Sequence, residues 1–422
     1  MMKLRFDEIG IIYNNRKIKI YLDGVILLMK NKAVVLGANY YIGLSIIRCL
    51  GIHDIPVVAV DYSKKGTYGF YSKYLSEKLI GPDSKEDPEG LLDFLVEYGK
   101  KQDKPPVLYP SADGYAEFID KYLPTLQKYY LINQTEQGLF TKVINKDSLY
   151  SLAKEHNVLF PETIYIDDED YKEKVNSIIK FPCLVKPTDS PAFVSYFRKK
   201  LFKVYNMEEL EDAIKKAQEA NLDVVIQRII PGFDDHMYTF DAYLNQDSKV
   251  THWITCQKLR QFPINFGASV YTIQKYVPEL YEIGAKFLED IGFKGFAEIE
   301  FKKDADTGKY YLIEINARTT NLNSMLFKAG INMPYLAYCE LTNELPEPYA
   351  IEEDTNIAFW YAYEDFFAIR NYKKTKQLTG KEIIKTFNRP KAYAIWDMKD
   401  PLPAFAFIFQ KIKRLFSKIF VH

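Results

Sequence analysis

The chain has 422 residues, 47% of them hydrophobic, with 56 Lys plus Arg balanced by 56 Asp plus Glu. That length exceeds one ordinary core and points to two or three domains, while the charge balance gives no electrostatic case for a nucleic-acid partner. Four scattered cysteines and five histidines without ligand-like spacing argue against a zinc site, a disulfide framework or a His-based triad, and fit a reducing, cytoplasmic setting.

Charges interrupt every apolar stretch through residue 22, so no signal-peptide pattern is present. The first convincing domain opens at 29; Met29 is the expected start, with 1–28 a translated leader or a loosely attached extension. From there AVVLGANYYIGLSIIRCLG (33–51) and IPVVAVD (55–61) predict strand, turn, helix, strand. A helix near 88–100, a strand over 106–114 and a helix over YAEFIDKYLPTL continue the alternation. The expectation for 29–135 is a doubly wound α/β domain. Gly37, Gly43 and Asp61 sit where a dinucleotide site would, but Asn39 and Ile42 occupy positions at which that fingerprint needs glycine, so a nicotinamide-dependent oxidoreductase has little support.

A second unit is expected over 136–345. INKDSLYSLAKEHNVLFPET (144–163) reads as a capped helix with Lys146 near its start, ending before Pro161. FPCLVKP (181–187) is a short apolar strand carrying Lys186, whose burial is costly unless an anion neutralises it. LFKVYN, MEELEDAIKKAQEA and DVVIQRIIPG predict strand, helix and strand. DHMYTFDAYLN and KVTHWITCQKLRQF predict antiparallel strands, and PELYEIGAKFLEDIG an amphipathic helix. GFAEIEF (295–301) and YYLIEINAR (310–318) alternate polar and apolar residues around an Asp/Gly-rich turn, the pattern of an antiparallel hairpin. Glu298 and Glu300 share one face of it, as do Glu314, Asn316 and Arg318 on the second strand. Gathered acids repel unless protonated or bridged by a cation, and a carboxylate–amide oxygen set suits Mg²⁺ or Mn²⁺ better than zinc. A solvated face of alternating charge fits the hairpin pattern equally well.

The block from 346 onward has helix and strand patterns without identifiable chemistry. Its tail, FIFQKIKRLFSKIFVH (407–422), places Ile408, Ile412, Leu415, Phe416, Ile419 and Phe420 on one helical face with Lys411, Arg414 and Lys418 opposite. Such a helix either packs on the protein's own core or lies on a membrane surface. No oligomeric state is legible.

Taken in order, an α/β domain, a helix lysine, F-P-x-L-V-K-P, I-Q-R-I-I-P-G and G-F-x-x-x-E…E-I-N-A-R resemble the ATP-grasp superfamily over roughly residues 30–345. D-G-Y-A-E (113–117), K-L-R-Q-F-P (258–263) and G-F-A-E-I-E-F are reminiscent of its carboxylate–amine ligases, the D-aspartate ligase-like group. The resemblance implies α/β and α+β architecture: the N-terminal domain followed by two α+β subdomains gripping ATP. It implies that Lys146 and Lys186 bind phosphates and that adenine sits against backbone groups of Arg228, Ile229 and Ile230, with Gln227 near its exocyclic amine. Asp235, or Asp234, would contact ribose; Glu300, Glu314 and Asn316 would hold Mg²⁺. Arg318 would face the transferred phosphoryl group, and Arg260 with Lys258 would clamp the carboxylate, unless these two are merely an exposed basic strand end.

The implied activity is ATP- and Mg²⁺-dependent joining of a carboxylate to an amine through an acylphosphate, serving cell-wall or surface-polysaccharide synthesis on small-molecule or envelope-precursor substrates. Positioning and charge neutralisation carry such chemistry, so no covalent nucleophile is needed. Glu298 is a candidate acceptor for the amine proton or a structural residue. The segment 188–202, read as a loop over the phosphates, departs from the usual pattern because it has no glycine; Ser190, Ser195, Arg198 or Lys199 would have to substitute. The competing reading is a non-catalytic ATP-binding regulator on the same fold.

Overall fold

The computed structural model describes residues 10–14, 17–22, 25–28, 30–134, 136–188, 190–342 and 346–419, with backbone only over 10–28. Three short strands within 10–28 pair antiparallel with one another and, among the described residues, with no other sheet. The start expected at Met29 lies outside the described residues.

The first domain is a four-stranded parallel sheet in the order Leu75–Ile80, Val57–Asp61, Ala33–Leu36, Val107–Pro110. Ala33–Leu36 and Val57–Asp61 are buried throughout, as continuous apolar runs in a sheet covered on both faces should be. At the first turn the glycines are taken up by backbone conformation and by close packing of the helix on the turn. Gly37 takes φ +87°, and a Cβ on Gly43 would meet the Gly37 carbonyl at 1.9 Å. Asp61, 1% exposed, accepts the Ala38 amide at 2.7 Å and so caps the turn from inside. These residues serve the fold, and the oxidoreductase reading loses its only support.

A second, small antiparallel sheet runs Phe202–Val204, Cys183–Pro187, Val224–Arg228, Thr163–Tyr165, with the helix Met207–Glu219 packed on it. Leu210, Ala213, Ile214 and Ala217 of that helix join Val185, Phe193 and Ile226 in a separate core. The segment expected to be a loop contains the helix Ser190–Phe197. Its reason is aromatic: Phe193 is buried with ring centroids 4.7 Å from Phe197 and 5.1 Å from Phe202.

The third sheet is the largest. Its order is Tyr310–Asn316, Gly295–Lys303, Met237–Leu244, Val250–Phe262, Ala268–Gln274, Ala358–Trp360, Lys391–Tyr393, with Tyr349–Ala350 added beside Val250–Phe262. The amphipathic helix Pro278–Asp290 covers one face, burying Leu280, Ala285, Phe287 and Leu288. The break expected at 345/346 is not a break in the fold. Strands on both sides of it belong to one sheet, and Phe359, Tyr361, Tyr372 and Ala404 share a core with Val35, Tyr41 and Ile46 of the first domain. Two- and three-residue strands carry too little alternation to be read without their partners.

The terminal helix Leu402–Ile419 packs through Ala404 and Phe407. Ile408, Ile412 and Phe416, expected on one face, are exposed; the side chains of Leu415, Lys418 and Ile419, and all of Phe420, lie outside the described residues.

Candidate active site

The expected hairpin forms with the acids in register. Glu300 stands opposite Glu314, and Glu298 opposite Asn316. On the other side, Met237–Leu244 sets Thr239 beside Glu300 and Asp241 beside Glu298. Alternation drives this: Ala297, Ile299, Phe301 and Ile315 fill the core behind, which forces the polar set to the opposite face. The Asn316 amide donates to Glu298 Oε1 at 2.9 Å, and Lys258, 2% exposed, reaches Glu300 at 2.5 Å.

The cations come from two elements, Lys186 from the small sheet and Lys146 from a helix packed on the large sheet's core. Lys186 Nζ donates to Gln227 Oε1 at 2.6 Å. Gln227 Nε2 in turn donates to the Tyr150 hydroxyl at 3.2 Å and Thr163 Oγ1 at 3.0 Å, which fixes its amide orientation. Lys146 opens the helix Lys146–Glu155, capped by Asn145, whose Oδ1 accepts from the Asp147 and Ser148 amides. One cleft of about 1270 Å³ is lined by Lys146, Lys186, Gln227, Arg228, Ile229 and Ile230 together with Glu298, Glu300, Glu314, Asn316 and Arg318.

Arg318 is fixed across domains. Its Nε and one terminal nitrogen donate to the two carboxylate oxygens of Asp113 at 2.7 and 3.1 Å, and that same nitrogen reaches Asn316 Oδ1 at 3.1 Å. Asp113 and Tyr40 bring the first domain into the cleft wall.

Charge and burial act against each other here. Lys186 is lowered to about 7, by burial of its ammonium first and by Lys146 second. Burial raises Glu300 to about 7, with Glu314 and Glu298 adding to it and Lys258 opposing. Burial, then Asp241, raises Glu298 to about 8. Glu314 goes the other way: burial pushes it up, but Lys146, Lys258, Lys200 and Lys186 together outweigh that and hold it below its usual value.

Three expectations need correction. Arg260 is fully buried and does not line the cleft. Its guanidinium pairs with both oxygens of Asp365 at 2.6 and 2.7 Å, donates to Thr386 at 2.9 Å and lies 4.2 Å over the Tyr271 ring. Sequence order alone could not reveal this, because Asp365 is 105 positions away. Lys258 is no exposed strand end either; it neutralises Glu300. Asp235 pairs with His236 at 2.8 Å outside the cleft lining, whereas Asp234 lines it and accepts from Gln261, Asn265 and Tyr372. Arg228, expected to offer its backbone, lines the cleft while its side chain turns to Glu162 and Asp304.

Among residues that sequence reasoning missed, Asp113 lay inside a noticed motif, but its role depends on a partner 205 positions later. Lys200, Tyr150, Thr239 and Asp241 had no local signal. From the segment 188–202 it is Lys200 that faces the cleft, not Ser195 or Lys199, and the side chain of Ser190 is outside the described residues.

Among the described residues no three His, Cys, Asp or Glu side chains converge as a ready-made metal cage. Two carboxylates and an amide are instead the donor set of a hard cation that completes its shell with substrate phosphates, and Glu300, Glu314 and Asn316 fit that chemistry.

A family model described as "D-ala D-ala ligase C-terminus" matches residues 152–336. A D-aspartate ligase from Enterococcus faecium is 29% identical over 279 residues, covering 62% of this chain and 65% of its own length, so the chain spans just under two thirds of that relative. A D-alanine–D-alanine ligase from Thermoanaerobacter is 25% identical over 306 residues, 64% of this chain and 81% of that one. In fold, the chain is similar to N5-carboxyaminoimidazole synthetase from Staphylococcus aureus (TM-score 0.60, 16% identity, 77% of this chain and 81% of that one). It is equally similar to the biotin carboxylase domain of Hydrogenobacter thermophilus 2-oxoglutarate carboxylase, solved with MgADP and bicarbonate (TM-score 0.60, 17% identity, 78% and 74%). The chain is thus built on the ATP-grasp fold, and its central region is a relative of the D-alanine–D-alanine ligase C-terminal domain.

Proposed function

We propose that the protein is an ATP- and Mg²⁺-dependent ligase that activates a carboxylate as an acylphosphate and joins it to an amine. The observation that carries this reading is that Lys146 and Lys186 line the same cleft as Glu300, Glu314, Asn316 and Arg318. A carboxylate resists amines because its charge is delocalised and oxide is a poor leaving group; phosphorylation supplies a good one.

In this reading Lys146 and Lys186 hold phosphate oxygens, and the backbone at Arg228 to Ile230 receives the adenine. Glu300, Glu314 and Asn316 would hold magnesium, which when bound would supply charge neutralisation for the phosphates. Arg318, kept planar and oriented by Asp113, faces the charge that develops on the transferred phosphoryl group. Glu298 is the carboxylate placed to take the proton that the amine loses. The carboxylate substrate is an amino acid, with D-aspartate the first choice on the strength of the 29% identical relative, and the product serves cell-wall or surface-polymer assembly.

The test is release of ADP and phosphate in the presence of Mg²⁺, screened over amino-acid carboxylates against amines. Turnover should require both substrates. ATP binding without turnover for any pair would favour the regulator reading instead.

A further inference from the structure

The helix Leu402–Ile419 is held by one side and leaves its apolar side in water. Its start is rigidly placed: Asp400, 1% exposed, pairs with Arg48 at 3.0 Å and accepts from Ser72 Oγ at 2.8 Å and the Lys73 amide at 3.0 Å. Farther along, Phe407 packs edge-on against Tyr68 and Tyr363 at 5.4 and 5.5 Å, and Lys411 lies 4.4 Å over the Tyr363 ring. On the outward side Leu402, Phe405, Ile408, Phe409, Ile412 and Phe416 form one stripe, each about half exposed or more. The stripe continues past the helix start through Trp396, whose ring meets Phe405 edge-on at 6.1 Å, and Met398, 85% exposed. So many large apolar side chains on one face are uncommon on a monomer surface and mark an interaction site.

Charge identifies the occupant. From 401 to 422 the sequence has Lys411, Lys413, Arg414 and Lys418 and no Asp or Glu. Of the nearest acids, Asp400 is buried on Arg48, Glu364 faces Lys411 on the side of the helix that meets the protein, and Asp397 accepts the Lys399 amide at 2.7 Å in the turn before the helix. Lys413 is exposed at the flank of the stripe, and Arg414 is exposed on the polar side of the helix opposite it. An apolar stripe with Trp at one end, on a helix whose flank and polar side carry cations, is what an anionic bilayer surface takes up. No helix among the described residues is long and apolar enough to cross a membrane, so the helix would lie in the interface rather than span it.

We propose that this helix docks the protein on the surface of an anionic lipid bilayer. The inference does not depend on the ligase reading. It does bear on the cleft: Phe407 lies 6.4 Å from Tyr361, which is 4.8 Å from Tyr41, and Tyr41 with Tyr40 lines the cleft. Docking therefore sets the cleft within a few side chains of the lipid.

The experiment is flotation of the full chain with phosphatidylglycerol–phosphatidylcholine vesicles and with pure phosphatidylcholine vesicles. The protein should float with the anionic vesicles, float much less with the neutral ones, and be released as salt rises. Each cation near the surface is worth about fivefold in partitioning, so Lys413→Glu/Arg414→Glu should lower flotation by at least about tenfold. Phe405→Glu/Phe409→Glu should do the same by removing apolar contact, and both variants should melt like the wild type because the changed side chains face water. Wild-type protein that stays at the bottom with every vesicle overturns the proposal. So does Phe405→Glu/Phe409→Glu floating as well as wild type, or reversible self-association through the stripe without flotation.

Discussion

Arg318 and Arg260 are the same residue in two regions of one sheet's surroundings, and they hold opposite kinds of position. Both grip an aspartate with two nitrogens. Arg260 and Asp365 are sealed in the core with Thr386 and Tyr271, so the pair is complete and has no face left for a ligand. Arg318 lies against the cleft, and its partner Asp113 keeps 45% of its side chain exposed. A bidentate arginine is therefore no sign of a substrate clamp by itself. What separates the two is whether water, and hence a ligand, reaches the pair.

The sharpest way to break that distinction is to remove each guanidinium in turn. Arg318→Met should lower turnover by about 10²–10³-fold while urea unfolding changes little, because a lost donor to developing charge is felt in the transition state. Arg260→Met should do the reverse. It leaves Asp365 charged and buried, at a cost of about 3–5 kcal/mol in unfolding free energy, while the folded fraction keeps its turnover. If Arg260→Met lost turnover with stability intact, the assignment of these two residues would be exchanged.

A smaller effect sharpens the cross-domain contact. A double-mutant cycle between Asp113→Asn and Arg318→Lys should show a coupling of about 0.5–3 kcal/mol in kcat/KM, since the two are in direct contact. Additive losses would mean that Asp113 does not position Arg318.

The smallest effect concerns pH. Lys186 is lowered to about 7 by burial and by Lys146, so above pH 7 the ligand-free site holds it mostly neutral. Because its folded value lies below the ordinary 10.5, the unfolded chain binds more protons between the two values, and the ligand-free protein gains stability from this group as pH rises through that window. A bound polyphosphate restores the ammonium. Nucleotide affinity should then fall above pH 7 by up to about tenfold per unit, with proton uptake visible in calorimetry across buffers of different ionisation enthalpy. Lys186→Met should flatten the profile; an equally steep one in both proteins would contradict the role.

What the sequence disclosed follows how local each signal is. The hairpin at 295–316 was legible because alternation alone fixes which side chains share a face, and its two strands are neighbours. Lys186 was legible because a charge inside an apolar strand demands an explanation. Asp113 with Arg318, Lys258 with Glu300 and Arg260 with Asp365 were not, since each joins elements that only the folded chain brings together. The helix Ser190–Phe197 was missed because a search for glycine overlooked the phenylalanines that stabilise it. The strands after 345 were invisible because they borrow their register from the large sheet.

The central claim is that a magnesium–nucleotide complex sits in the cleft shared by Lys146, Lys186 and the acids of the large sheet. Titrating ADP into wild type and into Glu300→Gln/Glu314→Gln, with and without Mg²⁺, tests it without knowledge of the substrates. Wild type should bind ADP more tightly when Mg²⁺ is present, and the double variant should keep Mg²⁺-free binding while losing that enhancement. An enhancement of equal size in both proteins would contradict the account.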